Sequence, residues 1–523
     1  MLTLVSKICI LAAGAACFTS LPAQNSSPLG PLVPGRFILA FRNETIPPDA
    51  AERIRAAGAA LVREDRQLGL ITVQFPVGSS VINALRLLAQ NRSIEAIMGD
   101  RVVTAQAVEV RPSLHARDTP DSLYYSKAGW AVRSVGGFAS DPTFSLTGGP
   151  WDVTKGAGVR LAILDSGVDR NHPDLAPNLA LNLSEIDQTI TSGLPSPCDN
   201  GSPQDQQGHG TWTASLAAGA LGPDTGLVAG VAPAATLLNI KVLERLPNSQ
   251  ADPSESSRCA AGQAAGLLSW VIRGIEDAVS EHADIISMSF GTLVDLSTSE
   301  GAQAKIIFDR VTTYAAKAGV LLIAAAGNEG LDLTRGDLLE LPAQASGVLA
   351  IVSSTNPACA ENLAPDAPCR PGTATLPYYS NSDSSPHSLA APGGSYPSGA
   401  AADPAAISGW IEGACSSGET STTDGPPSDS AHSFGCFGLG HTPYVQAMGT
   451  SAATSLAAGA AALVRAAHPD WDAATILEAL WSSATLLSGN ASSEINVTSL
   501  FSPAERRDHQ PVPPPHSRDT GRR

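Results

Sequence analysis

The stretch Val159-Arg160-Leu161-Ala162-Ile163-Leu164, followed at once by Asp165-Ser166-Gly167, decides the fold of this chain. A short run of mostly apolar residues that ends in a polar turn is typical of a strand buried on both faces. Further strands are predicted over residues 236–242, 284–288, 320–325 and 348–352.

Helical patterns separate these strands. In the clearest of them, six apolar side chains lie on one face of a predicted helix: Leu267, Leu268, Val271, Ile272, Ile275 and Val279. Strands that alternate with amphipathic helices form a parallel sheet covered by helices on both sides. The sequence therefore predicts an α/β fold for the larger part of the chain.

A separate small α+β unit precedes this part, from about Phe37 to Val103. Its predicted strands cover residues 37–41, 70–75 and 94–103, and its predicted helices cover residues 50–62 and 81–89. The stretch at 70–75 alternates with period two, as a half-buried strand should. Residues 107–121 are polar and carry prolines, which predicts a linker that is open to proteolytic cleavage.

Charge and the N-terminus indicate where the chain acts. Its 49 acidic and 32 basic residues give a net charge of -17, which argues against a nucleic-acid partner, because phosphate recognition needs a basic face. Such acidity is typical of a soluble secreted protein. Lys7, an apolar run at 8–18 and small residues ending near Ala23 resemble a secretory signal. That run is too short to span a bilayer, and no other segment predicts a membrane span.

Six cysteines remain after removal of the signal: Cys198, Cys259, Cys359, Cys369, Cys415 and Cys436. An even number in a secreted chain predicts disulfides, and fifteen connectivities are open. We favour pairing neighbours in sequence, as Cys198–Cys259, Cys359–Cys369 and Cys415–Cys436, with free buried thiols as the alternative. Seven glycosylation sequons support a secretory route: Asn25, Asn43, Asn91, Asn182, Asn200, Asn490 and Asn496.

Two regions interrupt the alternation of strands and helices. Residues 393–440 are dense in Ser, Gly and Pro and hold two cysteines, which predicts a surface insertion pinned by a disulfide. Residues 504–523 lack apolar anchors and are predicted to be disordered.

Three short motifs supply a carboxylate, an imidazole and a hydroxyl, each beside glycine. Asp165 ends the predicted strand, where it can orient an imidazole. His209 opens a helix in Gly208-His209-Gly210-Thr211, as a candidate general base. Ser451 starts a helix in Gly449-Thr450-Ser451-Ala452, where the helix dipole favours a nucleophile. Taken singly, the three are a turn former, a surface histidine and a helix cap. Their combination favours a catalytic interpretation.

A fourth motif, Ala325-Ala326-Gly327-Asn328, follows a predicted strand. The Asn328 amide can donate a hydrogen bond to a developing oxyanion beside the Ser451 N–H. Its alternative role is that of a turn residue before Glu329-Gly330.

These four motifs resemble those of the subtilisin-like serine proteases, the subtilases (peptidase S8 family), over about residues 121–484. The resemblance implies a three-layer parallel-sheet domain with Asp165, His209 and Ser451 as the triad. It also implies that the N-terminal unit is an inhibitory propeptide of the I9 type that is later cut away. We therefore divide the chain into a signal peptide (1–23), a propeptide (24–118, ordered over about 35–104), a peptidase domain (119–498) and a disordered tail (499–523).

The resemblance also implies substrate-binding residues. Ser289-Phe290-Gly291 corresponds to the segment that pairs with an extended peptide. Leu341-Pro342-Ala343 corresponds to a strand beside the first specificity pocket, so that Glu340 lies near the pocket floor and favours a basic residue before the scissile bond. The alternative is a solvent-facing Glu340.

The motif after Ser451 departs from the family pattern, because Ala452 replaces the usual methionine and Ser455 a proline. Three functions compete: a secreted endopeptidase made as an autoprocessed zymogen, an inactive subtilase fold that binds other molecules, and an esterase. The first accounts for the complete set of catalytic groups. It needs no cofactor; family members often carry structural calcium, but no contiguous acidic loop identifies a site here. We expect peptide or protein substrates, the propeptide as intramolecular inhibitor, no membrane attachment after signal removal, and a monomer.

Overall fold

A computed structural model describes residues 32–76, 78, 81–105, 109–113, 129–138, 149–187, 196–222, 225–248, 254–334, 336–356, 374–385, 387–395, 409–416, 436–439 and 442–501. The predicted signal peptide, most of the predicted tail, and Cys359 and Cys369 lie outside these residues.

The strands, in chain order, are β1 Leu32–Phe41, β2 Ala60–Asp65, β3 Leu70–Gln74, β4 Ile94–Ala105, β5 Glu109–Pro112, β6 Arg160–Asp165, β7 Leu179–Ser184, β8 Thr236–Lys241, β9 Glu244–Leu246, β10 Gln263–Leu267, β11 Ile285–Met288, β12 Phe290–Asp295, β13 Leu321–Ala325, β14 Leu338–Leu341, β15 Val348–Ser354, β16 Ser388–Pro392, β17 Ile411–Ala414, β18 Tyr444–Met448, β19 Thr485–Leu486 and β20 Ser493–Glu494. The helices are α1 Ala50–Ala56, α2 Ile82–Ala89, α3 Trp130–Ser134, α4 His209–Ala218, α5 Glu255–Ala260, α6 Leu268–Ser280, α7 Ser299–Lys317, α8 Thr450–Ala467 and α9 Ala473–Ser483.

The central sheet of the described part has the strand order β19-β20-β16-β15-β13-β11-β6-β8-β7. Its strands from β16 to β7 are all parallel. Side chains alternate between two cores, as the period of a strand requires. Leu161 and Ile163 of β6 face a core with α4, α8 and α9. Ala162 and Leu164 face a second core with α6 and α7. The predicted α/β layer structure is confirmed.

The N-terminal unit is a four-stranded antiparallel sheet in the order β4-β1-β3-β2. One face packs on α1 and α2, and the other joins the core formed by α6 and α7. The predicted helix over 50–62 is too long: α1 ends at Ala56, Gly58 adopts a φ of 86°, and the chain turns into β2.

Polar contacts also join the N-terminal unit to the larger one. Asp100, buried on β4, accepts from the Ser269 main-chain N–H in the first turn of α6 (3.1 Å) and pairs with Arg36 (2.9 Å). A carboxylate at a helix N-terminus is favoured by the helix dipole. On α7, Arg310 donates to the Phe41 carbonyl at 2.7 Å. The two units therefore share apolar and charged contacts.

Short antiparallel ladders extend β4 and β5 into the larger unit. The end of β4 lies between β10 and β12, and β5 forms a three-stranded sheet with β18 and β17. Within the linker predicted at 107–121, Glu109–Pro112 form a strand that the sequence analysis did not predict, because their main-chain partners in β18 are far away in sequence. In the described part of the chain, no helix is long and apolar enough to cross a membrane.

Candidate active site

Asp165 and His209 meet where the central sheet ends. Asp165 is the last residue of β6, and His209 is the first residue of α4. Asp165 Oδ1 lies 2.7 Å from His209 Nδ1 and also accepts the Ser166 N–H at 2.7 Å. Thr213 donates to Oδ2 at 3.2 Å. Because an ionised carboxylate only accepts, this arrangement places a proton on Nδ1 and leaves Nε2 as a base.

Ser451 completes the line of hydrogen bonds. Its Oγ lies 2.9 Å from His209 Nε2 and 3.1 Å from the Ser289 carbonyl oxygen. Ser451 is in the first turn of α8, after Gly449, whose φ of 151° is a conformation that essentially only glycine adopts. The structure therefore brings the three predicted catalytic residues together, and all three are buried.

A residue that the sequence analysis missed holds two of these elements in place. The buried Asp205 carboxylate accepts from the main-chain N–H groups of Gln207, Gly208 and Thr211, and from the Ser166 hydroxyl. It thereby links the turn after Asp165 to the first turn of the helix that carries His209. Burial raises its pKa, against the effect of these donors. Its position four residues before His209 was the only available signal.

Asn328 lies beside the start of α8. Its Oδ1 accepts from the Thr450 N–H and the Thr450 hydroxyl, both at 3.0 Å. The donor that its side chain can offer to a ligand is therefore Nδ2. The Ser451 N–H belongs to the first helical turn, which has no preceding intrahelical acceptor. The Asn328 amide and the Ser451 N–H thus both lie at the N-terminus of α8.

A family comparison agrees with this geometry. The model of the subtilase family matches residues 156–501, which include all four motifs. The chain belongs to the subtilase family.

Individual relatives of this subtilase share about a quarter to a third of their residues with it over the matched parts. An intracellular serine protease of Paenibacillus polymyxa is 34% identical over 204 residues, which is 38% of this chain and 51% of the relative. A thermophilic serine proteinase of Bacillus sp. (strain AK1) is 26% identical over 306 residues, covering 58% and 61%. The chain thus spans about half to three fifths of the length of these relatives.

Among solved structures, the epidermin leader peptide processing serine protease of Staphylococcus aureus superposes with a TM-score of 0.59 at 17% identity, over 91% of this chain and 99% of that one. Fervidolysin from Fervidobacterium pennivorans gives a TM-score of 0.57 at 18% identity, over 89% and 60%. These similarities confirm the subtilisin-like fold.

The end of β4 occupies a groove beside the triad of this subtilase. Thr104 pairs with Ala265 of β10 on one side and with Gly291 of β12 on the other. Ala105 pairs with Phe290, the first residue of β12. The residue before it, Ser289, has its carbonyl oxygen in contact with Ser451. The predicted segment Ser289-Phe290-Gly291 therefore pairs with an extended chain that ends close to Ser451.

Glu340 lies in β14, next to β12, and is fully buried. A side chain on Gly291 would collide with its carboxylate, since an ideal Cβ there falls 2.0 Å from Oε1. The solvent-facing alternative for Glu340 is therefore wrong. Burial raises the pKa of Glu340 well above its usual range, and the charge of Glu329 raises it further.

Two of the predicted disulfides are present, Cys198–Cys259 and Cys415–Cys436. The second one lies against Gly208, the residue before His209, because an ideal Cβ on Gly208 would fall 2.9 Å from Cys415 Sγ. Next to it, the Phe437 N–H donates to the Gln207 carbonyl at 2.6 Å, and the Phe437 ring meets the His209 ring edge-on at 6.1 Å. Phe437, in the described part of the insertion, therefore lies beside His209, which the composition of the insertion did not reveal.

Within the described residues, no group of three or more His, Cys, Asp or Glu side chains could hold a metal ion.

Proposed function

We propose that this protein is a secreted serine endopeptidase that is made as a precursor and processes itself. The observation that carries the proposal is the position of His209 between Asp165 (2.7 Å) and Ser451 (2.9 Å). A hydroxyl, a base and an orienting carboxylate in this order form the arrangement used for acyl transfer.

In the proposed reaction, His209 Nε2 takes the Ser451 proton while Oγ attacks the carbonyl carbon of the scissile peptide. The Ser451 N–H and Asn328 Nδ2 stabilise the tetrahedral oxyanion. His209 then gives the proton to the leaving amine, and the C–N bond breaks to leave an acyl-enzyme. Water, deprotonated by His209, hydrolyses the ester and restores the Ser451 hydroxyl.

The path of the N-terminal unit supports the proposal of a zymogen. The end of β4 fills the groove on one side of Ser451, and the chain resumes at β5 on β18, which leads directly to Ser451. The first substrate is therefore the chain itself, with the scissile bond between Ala105 and Glu109. In the β4–β12 pairing, Thr104 lies opposite Gly291 and Ala105 lies opposite Phe290. Continued by one residue, this register would bring Gln106 opposite Ser289, which contacts Ser451. We therefore favour the bond after Gln106. This bond lies before residue 118, the predicted end of the propeptide.

A serine-directed fluorophosphonate tests the proposed chemistry directly. We expect the processed protein to be labelled once, at Ser451 in peptide mapping, and to hydrolyse casein with a rate that falls as labelling proceeds. Absence of labelling would favour the inactive binding protein. Labelling with hydrolysis of esters but not of peptides would favour the esterase. A groove that pairs with an extended main chain supports the peptidase.

Secretion and glycosylation belong to the same proposal. Asn43 is exposed, and Asn490 is partly exposed. Asn496 is also partly exposed, but its Nδ2 donates to the Ser134 carbonyl at 2.8 Å, so a glycan on that nitrogen would compete with this contact. We therefore propose Asn43 and Asn490 before Asn496 as glycosylated positions.

Glu340 is proposed to set the preference for the residue before the scissile bond. Burial disfavours the ionised form of the Glu340 carboxylate, and a cationic substrate side chain beside it would favour that form again. We expect the Glu340→Gln enzyme to lose about tenfold or more of the ratio of kcat/KM for Arg over Phe peptides, since one charge pair in a desolvated site is removed. The rate on the Phe peptide is the internal control. An unchanged ratio would contradict the role of Glu340.

Release of the propeptide is expected to depend on pH through Glu276 of α6. Its Oε2 accepts from Arg63 of the N-terminal unit at 2.9 Å, and burial together with Asp65 of that unit raises its pKa to about 8. Departure of the unit removes Asp65 and returns the pKa toward the ordinary 4.5. The complex therefore binds an extra proton, and its stability is lost as pH rises from about 4.5 to about 8.

The measurement is the dissociation constant of the processed, non-covalent complex between pH 5 and 8. We expect about a tenfold or larger increase in the wild type and a flatter profile in Glu276→Gln, because that side chain cannot titrate. Glu185, whose pKa is raised to about 7, leaves some residual dependence. Equal slopes for both proteins would show that Glu276 does not control release.

A further inference from the structure

The pairing of β5 with β18 is a second set of main-chain contacts near Ser451, in addition to the pairing of β4 with β12. Four residues, Glu109–Pro112, pair antiparallel with Met448–Val445 of β18. The opposite edge of β18 is covered by β17. Residues 449 and 450 alone separate β18 from Ser451, so this edge begins at the catalytic centre.

The ladder shows which main-chain groups this edge presents. Ser113 N–H donates to the Tyr444 carbonyl at 3.1 Å, and Cys415 N–H on the other side donates to the Pro443 carbonyl at 2.7 Å. Because bonded positions alternate along an antiparallel pair, residues 444, 446 and 448 turn their N–H and C=O groups to β5. Pro112 lies opposite Val445, at a position that needs no N–H.

Side chains on the two faces of β5 have different neighbours. Val110 packs against the core that contains Val445 and Ala447. Arg111 lies opposite Gln446, whose buried Oε1 has no hydrogen-bond partner among the described residues. An apolar residue and a hydrogen-bond donor therefore suit these two positions.

We propose that the outer edge of β18 is a binding site for the part of a peptide substrate that follows the scissile bond. This site pairs with substrate residues three to six after the cleaved bond, by adding them as a strand to the β17–β18 hairpin. It favours an apolar residue at the position of Val110 and a donor, such as Arg or Lys, at that of Arg111. The inference rests on the proposed endopeptidase function and extends it to the far side of the cleft.

The argument for a substrate site comes from what cleavage leaves behind. Once the bond after Gln106 is cut, β5 remains covalently connected to the catalytic unit through its C-terminal end only. If β5 then leaves β18, it exposes an open strand edge next to Ser451. Such an edge is a ready template for another extended chain. Most contacts are to the main chain, so they do not require the sequence of β5. A substrate that enters the β4 groove runs in the same direction as the precursor and reaches this edge next.

Two internally quenched peptides test the site. The short peptide carries residues 102–108 of this chain and the long one carries residues 102–113. We expect kcat/KM to be about tenfold or more higher for the long peptide, because several main-chain hydrogen bonds are added. Binding of both peptides is followed in parallel by fluorescence anisotropy, so that the site is measured even without turnover.

N-methylation provides matched controls within the long peptide. Methylation of the amide in register with Arg111, which faces β18, is expected to return kcat/KM to the level of the short peptide. Methylation at the position of Val110, whose N–H faces away, is expected to change it by less than about threefold. Equal losses at both positions would contradict pairing with β18.

The chain's own β5 segment competes for the edge, so the peptides are also compared on Arg111→Pro protein, processed in trans by wild-type enzyme. Proline at this bonded position weakens the self-paired strand. An advantage of the long peptide in either protein supports the site. Equal binding and equal kcat/KM for both peptides in both proteins would overturn it. Absence of hydrolysis together with tighter binding of the long peptide would instead refute the endopeptidase function alone.

Discussion

Replacement of Ser451 by alanine is expected to leave the precursor at full length after signal removal and to lower peptide hydrolysis by at least about 10⁴-fold. The reason is geometric, since no other described hydroxyl occupies the 2.9 Å position from His209 Nε2. The mass of the secreted product reads out self-processing. Wild-type protein should lose its first 106 residues, and Ser451→Ala should lose the signal peptide only.

Ser455→Ala is the matched control for this experiment. Ser455 lies one turn further along α8 and donates to the Ser451 carbonyl at 2.9 Å, so its removal perturbs the same helix without removing the nucleophile. We expect normal processing. If Ser451→Ala and wild type are trimmed alike, another protease performs the cut, and self-processing is refuted.

The second large effect is expected for Asp165→Asn, at about 10⁴-fold in kcat with little change in KM. An asparagine at 165 preserves the shape of the side chain but can donate to His209 Nδ1, which favours the tautomer with the proton on Nε2. That tautomer cannot accept the Ser451 proton. Steady-state kinetics on trans-processed protein, with its thermal unfolding as a check on folding, measure the effect.

Thr213→Val provides a graded comparison. It removes the 3.2 Å donor to the other oxygen of Asp165 and leaves the tautomer of His209 unchanged. We expect a loss of about tenfold, the effect of one hydrogen bond to a charged group. Equal losses for the two variants would mean that orientation of the carboxylate, and not its accepting character, controls the rate.

The local pattern of apolar residues was sufficient to predict the central strands of the fold. The strands β6, β8, β11, β13 and β15 were predicted within one or two residues, because strands buried on both faces read as continuous apolar runs. β7 was missed, because its partly exposed Leu179–Ser184 segment lacks such a run. The helix predicted over 50–62 was too long, because Gly58 stops it and β2 depends on pairing with β3.

The residues of the candidate site also fall into those that local sequence predicted and those that it did not. Motifs with their own local chemistry, around Asp165, His209, Asn328 and Ser451, were recognised from sequence and converge in space. Contacts made by distant segments carried no local signal. Examples are the pairing of β5 with β18 across more than 300 residues and the approach of Phe437 to His209. The burial of Glu340 likewise depends on Gly291, which precedes it by almost fifty residues.

The contact between the Cys415–Cys436 bridge and Gly208 places a reducible bond beside His209. If this bridge is reduced, the segment that holds Phe437 against the His209 ring loses its covalent tether. The constraint on that ring therefore depends on the redox state of the surroundings. For the secreted enzyme proposed above, the constraint is complete in an oxidising compartment.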